Sequence, residues 1–177
     1  MQIGPRLPIS KSYLDIGEPL VQRTPHKEGI DTMSGLKLMA LDGEDLSVIS
    51  THMQDSVFKL KDVSFDRKHG QFLLSANRFV WESVAKKGQP PERCRSVLAL
   101  KRVGNVRSNG FNRDNREEVH SLLAVQFSQN GEGPDGTVEL TLSGGGAIAL
   151  DVECIEAQLA DVSGGWETAS KPHHPED

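Results

Sequence analysis

The sequence predicts an α+β domain: a strongly bent antiparallel sheet, or open barrel, of six to seven strands with an early helix and a C-terminal helix. Through most of the chain, apolar residues alternate with polar ones, which is typical of half-buried strands. Two stretches, 43–55 and 153–162, instead space their apolar residues at helical intervals. Because the strand-like runs follow one another through short polar connections, we expect neighbouring strands to pair antiparallel.

The chain of 177 residues is long enough for one domain with a buried core, but its apolar fraction of 36% is low. We therefore predict a single α+β domain over 33–165, between a disordered N-terminal extension at 1–32 and a flexible C-terminal tail at 166–177. Four prolines and scattered glycines interrupt any period in the extension. The alternative interpretation of the extension is an arm that binds a partner. Met33 is an alternative to Met1 as the native first residue.

The first half of the domain is predicted to form a strand, a helix and a hairpin. Residues 36–40 alternate as a short strand does. Asp42 follows as a helix N-cap, with an acidic residue three positions later, and the helix runs over 43–55. Two strands at 57–65 and 71–81 flank a polar five-residue turn, which predicts the hairpin.

The second half is predicted to contain further strands and two exposed loops. In chain order these are a loop at 82–92, a strand at 95–107 with a bulge near Gly104, a loop at 108–118, and strands at 120–128 and 137–142.

The last unit is predicted to be a strand that hands over to a helix. Alternation predicts the strand over 148–152. Ile155 and Leu159 then fall four residues apart, as on one helix face, and we expect Leu159 to be buried against the sheet. Glu156 and Asp161 are expected to stay exposed.

Two segments echo each other, ALDGEDL at 40–46 and ALDVECI at 149–155. Both fall at a predicted strand-to-helix junction. Convergence on acidic helix starts is one interpretation, and an internal duplication is the other. A closing helix over an open, bent sheet is similar to pleckstrin-homology-like barrels, a fold-level analogy that transfers no function.

Charge is distributed unevenly along the chain. Residues 78–116 hold ten basic and three acidic residues, whereas 117–177 hold one basic and twelve acidic residues. The two segments either neutralise each other in the fold, or the basic one forms an anion-binding face with aromatic stacking surfaces. The candidate binding residues are Arg78, Trp81, Arg93, Arg95, Lys101, Arg102, Arg107 and Arg113.

No convergent catalytic set, metal-ligand set or cofactor motif is found in the sequence, so we predict no catalytic residue, no metal and no cofactor. Cys94 and Cys154 lie far apart and lack a CxxC spacing. The glycines at 144–146 precede a strand, whereas phosphate-binding loops open a helix. No apolar run reaches 18 residues and no secretory signal is present, so we expect a cytoplasmic protein that does not span a membrane.

Between residues 35 and 177 the chain resembles a known family. The stretches that carry the resemblance are LKLMALDGEDLSVISTHMQD, SANRFVWE, GGGAIALDVECIEAQLADV and the closing HPED. They are similar to an uncharacterised alphaproteobacterial family, domain of unknown function 2948. The resemblance implies a cytosolic bacterial protein with no assigned activity, catalytic residue or cofactor. It also implies genes that often lie near one for an enzyme of peptidoglycan-precursor synthesis.

These observations favour a non-catalytic interaction module that binds a protein partner, such as an enzyme of envelope-precursor synthesis. Binding of nucleic acid or a small anion through 78–116 is the first alternative, although readers of nucleic acid usually carry a stronger basic excess. An enzyme of unrecognised type is the second.

Overall fold

A computed structural model describes residues 35–84 and 90–168. The predicted N-terminal extension and most of the predicted C-terminal tail lie outside these residues. The strands are β1 Lys37–Ala40, β2 Ser56–Lys59, β3 Val63–Asp66, β4 Gln71–Phe79, β5 Glu92–Leu100, β6 Val103–Asn109, β7 Val119–Gln129, β8 Gly136–Leu142, β9 Ala147–Val152, β10 Ala157–Asp161 and β11 Trp166–Glu167. The α-helices are α1 Gly43–Met53 and α2 Trp81–Val84, and short 3₁₀ turns occupy Leu60–Asp62 and Ser143–Gly145.

All of these strands belong to one antiparallel sheet, in the order β1-β10-β5-β4-β2-β7-β8-β9-β6. β3 pairs with β4, and β11 pairs with β5. In the described residues β1 and β6 remain edges, so the sheet does not close. The fold class is thus confirmed as a mostly antiparallel sheet with few helices, and the likeness to pleckstrin-homology barrels stays a prediction.

The described residues form a sheet of eleven strands where six to seven were predicted. Two predicted strands each break in two, β10 replaces the predicted C-terminal helix, and β11 lies where the tail was predicted. The predicted strand 57–65 breaks at the 3₁₀ turn, where the Asp62 carboxylate accepts a hydrogen bond from the Lys59 amide. The predicted strand 95–107 breaks at Arg102, whose φ of 58° is left-handed and ends the extended backbone. The bulge predicted near Gly104 is present, since the register shifts there.

The early helix is confirmed. The Asp42 side chain accepts a hydrogen bond from the Asp45 amide at 2.8 Å, as an N-cap should. Leu46, Ile49 and Met53 follow at helical spacing and are buried in the core. Because α1 contacts β1 and β7, and to a smaller extent β4 and β10, it covers the buried inner face of the sheet between these strands.

The predicted C-terminal helix is wrong: the segment forms β10, which pairs with β1 on one side and with β5 on the other. Ile155, Ala157 and Leu159 are all buried, and this alternation is the period of a strand. The predicted burial of Leu159 is confirmed, but Asp161 is not exposed. Its side chain is only 7% accessible.

The chain continues in regular structure past residue 165, where the tail was predicted to begin. Trp166 and Glu167 pair with Arg93 and Glu92 of β5. Among the described residues, no helix is both long enough and apolar enough to cross a membrane.

Candidate functional site

Four of the basic residues singled out from the sequence pair with carboxylates of the acidic C-terminal third. These pairs agree with the first of the two charge interpretations, mutual neutralisation. The pairs are Arg78–Asp161, Lys101–Glu156, Arg102 with Glu153 and Glu156, and Arg107–Asp151.

Arg78 is the centre of what we call the inner cluster, formed by Arg78, Glu82, Ser96 and Asp161. β4 places Arg78 on the inner face, beside Cys94 of β5, and its side chain is 0% exposed. Nε and Nη2 donate to the two Asp161 oxygens at 2.8 and 2.7 Å. Nη1 and Nη2 donate to Glu82 at 3.0 and 2.6 Å, and Nη1 also reaches the Phe79 carbonyl. All five N–H groups of the guanidinium are therefore used inside the protein.

Asp161 is held as a carboxylate by its donors. Besides Arg78, it accepts hydrogen bonds from the Ser96 hydroxyl at 2.6 Å and from the Leu36 amide at 2.9 Å. Burial, the largest influence, raises the Asp161 pKa, but the hydrogen bonds from Arg78 and Ser96 outweigh it and lower the pKa to about 2. The inner cluster thus ties β10, β4, β5 and the start of β1 together.

Cys94 lies against the inner cluster, with its sulfur 3.6 Å from the Ser96 hydroxyl. Burial raises the pKa of the Cys94 thiol to about 11. Because the thiolate is the reactive form, this cysteine is poorly suited to nucleophilic chemistry near neutral pH.

Arg93 and Trp81 build the wall beside the inner cluster. The Arg93 guanidinium lies 5.9 Å from the centre of the Phe79 ring and donates to the backbone carbonyls of Asp55 and Asn77. The Trp81 ring lies 4.5 Å from that of Phe79, and its N–H points to the Gln54 carbonyl at 3.4 Å. Both predicted binding residues thus contact the protein itself.

Arg95 lies on the opposite, outer face of the sheet, in an open groove of about 280 Å³ that we call the outer groove. It faces out because it alternates with the buried Cys94 and Ser96 along β5. Arg113, by contrast, lies over a small crevice beside Phe65 and Ile148. The outer groove is lined by Val57, Phe58, Lys59, Lys61, Asp62, Ser75, Ala76, Asn77, Arg95 and Val119.

A lysine pair at the outer groove holds a carboxylate from the loop between β6 and β7. Lys59 Nζ donates to Glu117 Oε2 at 2.8 Å, and Lys61 Nζ donates to Oε1 and Oε2 at 2.8 and 3.0 Å. These hydrogen bonds lower the pKa of Glu117 to about 2. On the far side, Arg95 donates a single hydrogen bond to Asp62 at 3.3 Å.

Sequence reasoning identified Arg95 but missed Lys59 and Lys61, because they fall in a segment of nearly balanced charge. The alternation of side chains along the predicted strand was the available signal. In the predicted strand 57–65, Val57, Lys59 and Lys61 share one face, which must be the outer one if Phe58 is buried.

In the described residues, no group of three or more His, Cys, Asp or Glu side chains is arranged to hold a metal ion. The outer groove offers cations, one carboxylate, amide and hydroxyl groups and apolar surface.

Comparison with known proteins adds one finding. Neither the curated proteins nor the solved structures contain a match to this chain. Residues 36–174 match the model of a family described as "Protein of unknown function (DUF2948)". The match spans the whole sheet and both the inner cluster and the outer groove, so the chain belongs to the DUF2948 family.

Proposed function

We propose that this protein is a non-catalytic interaction module that binds an extended segment of a partner protein in the outer groove. The observation that carries the proposal is the groove itself, which is open, crosses β5, β4 and β2, and mixes cations with apolar and amide groups. Protein-binding surfaces commonly combine an apolar centre with a polar rim in this way.

The groove offers contacts for both the backbone and the side chains of a ligand. Val57 and Val119 supply apolar surface, and Val119 is exposed. Ser75 and Asn77 line the groove, and neither side chain has a hydrogen-bond partner among the described residues. They are therefore available to the N–H and C=O groups of an extended peptide.

The contrast with the inner cluster supports assigning binding to the outer face. The Arg78 guanidinium has no donor left for a ligand. The Arg95 guanidinium makes one hydrogen bond within the described residues, and the side chain is 44% exposed, so its other N–H groups are open to a ligand in the groove. Arginine with open donors on a concave surface suits a carboxylate partner.

Site-specific cross-linking in the native host tests the proposal. A photo-crosslinking residue in place of Val119 should capture a protein in stoichiometric amount, and adding Arg95→Glu should abolish the product. The matched control places the same residue at Arg67, which is exposed in the turn at the far end of β4. Equal capture from both positions, or turnover of a small molecule by the purified protein without any captured protein, would refute the proposal.

A further inference from the structure

Building on the proposed function, we infer that the partner segment is acidic and that Glu117 is the chain's own stand-in for it. In this account a carboxylate of the partner displaces Glu117 from Lys59 and Lys61. Glu117 thereby competes with the partner and sets the affinity of the outer groove.

The charge of the groove selects a carboxylate-bearing segment. Three cations, Lys59, Lys61 and Arg95, and one carboxylate, Asp62, line it. The formal charge is +1 while Glu117 occupies the lysine pair and +2 once Glu117 is displaced. This excess stands in a chain whose net charge is −5. An acidic segment would therefore find complementary charge in the outer groove and repulsion over much of the remaining surface.

The contacts of Glu117 show how a ligand carboxylate would bind. One carboxylate bridges two ammonium groups, with each of its oxygens within 2.8 Å of a lysine nitrogen. A glutamate or aspartate from a partner strand can reproduce this arrangement. A second carboxylate, two residues along an extended ligand, would project to the same side and could approach Arg95.

Glu117 can leave without unfolding its loop. Its side chain is 62% exposed, and exposed ion pairs are held weakly because water competes for both partners. The loop is anchored by other contacts: the Arg116 carbonyl accepts from the Lys61 amide at 3.0 Å, and the Phe111 ring lies 5.1 Å from that of His120. A rotation of the Glu117 side chain alone would open the lysine pair.

Fluorescence anisotropy with labelled hexaglutamate and the full chain provides the test. Because the apparent affinity is reduced by the fraction of molecules in which Glu117 occupies the site, Glu117→Gln should tighten binding by about three- to tenfold. Glu118→Gln removes the same charge from the neighbouring residue, which contacts Asn115 and not the lysines, and should leave affinity within about twofold. The double variant Lys59→Gln/Lys61→Gln should lose binding.

Several outcomes would overturn the inference. Equal tightening by Glu118→Gln would mean that net charge, and not displacement of Glu117, sets affinity. Tighter binding of a deoxythymidine dodecamer than of hexaglutamate would assign the groove to nucleic acid. If hexaglutamate binds neither the natural chain nor Glu117→Gln while cross-linking from Val119 still captures a protein, the acidic ligand is wrong and the proposed function stands. If both experiments fail, both are wrong.

Discussion

The inner cluster and the outer groove are built from the same ingredients, guanidinium or ammonium groups facing carboxylates, yet burial gives them different roles. Arg78 is 0% exposed and every one of its donors is satisfied, so its contacts hold strands together. The lysine pair and Arg95 lie in water-accessible positions, where the same kind of contact can be exchanged for a ligand. Solvent access thus separates charges that stabilise the fold from the charges to which we assign partner binding.

Replacing the buried cation should have the largest effect on stability. Arg78→Met leaves the Asp161 carboxylate buried without its main partner, and breaking a buried pair in this way costs about 3–5 kcal/mol. Arg95→Met, on the adjacent strand but exposed, should cost less than about 1 kcal/mol. Urea unfolding at neutral pH measures both. Similar losses in the two variants would show that burial does not distinguish the two regions.

Acid should weaken the inner cluster next. The folded pKa of Asp161 is about 2, below its ordinary value of 3.8, so the unfolded chain binds the proton more readily. The stabilisation is therefore complete above about pH 4 and is lost as the pH falls toward 2, amounting to about 2 kcal/mol. The free-energy difference between the natural chain and Asp161→Asn should shrink by that amount over this range. A difference that stays constant with pH would contradict the assignment.

Removing one neutral donor from the inner cluster should have a smaller effect. Ser96→Ala deletes the hydroxyl that donates to Asp161 at 2.6 Å, but Arg78 still binds the same oxygen, so we expect a loss of about 1 kcal/mol. Ser75→Ala, on the neighbouring strand and facing the outer groove, is the matched control and should change stability by less than about 0.5 kcal/mol. Thermal unfolding of the two variants should rank them in this order.

The outer groove should tolerate substitution with the smallest effect. Lys59→Gln/Lys61→Gln should change the free energy of unfolding by less than about 0.5 kcal/mol, because exposed ion pairs contribute little. The double variant should instead lower the affinity of the outer groove for its ligand. A loss of stability as large as that of Arg78→Met would make the lysine pair a structural element and remove the basis for the proposed function.

The two echoing segments show which parts of the fold could be predicted from sequence. At 40–46 the acidic cap is followed by apolar residues three and four apart, and the helix is confirmed. At 149–155 a similar segment ends at Ile155, and Leu159 follows four residues later, an even spacing that fits a strand as well as a helix. Ala157 between them is also buried, so every second residue faces the core as in a strand. Pairing of β10 with β1 and β5 then favours the strand over the helix. Pairing across such sequence distances leaves no local pattern.

The candidate site, like the fold, could be predicted only in part from the sequence. The uneven charge distribution left two interpretations open, and the pairing of Arg78 with Asp161 agrees with mutual neutralisation of the basic and acidic segments. It could not show which of the seven basic candidates is buried, because that depends on a partner 83 positions away. It also passed over Lys59 and Lys61, since the outer groove is assembled from four strands and a loop that are distant in sequence.

The separation of 83 positions between Arg78 and Asp161 also has a consequence for the chain during its synthesis. At a synthesis rate of roughly 5–20 residues per second, Asp161 appears about 4–17 s after Arg78. During that interval the arginine has Glu82 within reach but no Asp161, and β1 waits for β10, its neighbour in the sheet. A chain that ends before residue 157 would therefore leave the β10 side of β5 unpaired, and an unpaired strand edge is prone to pair with another chain.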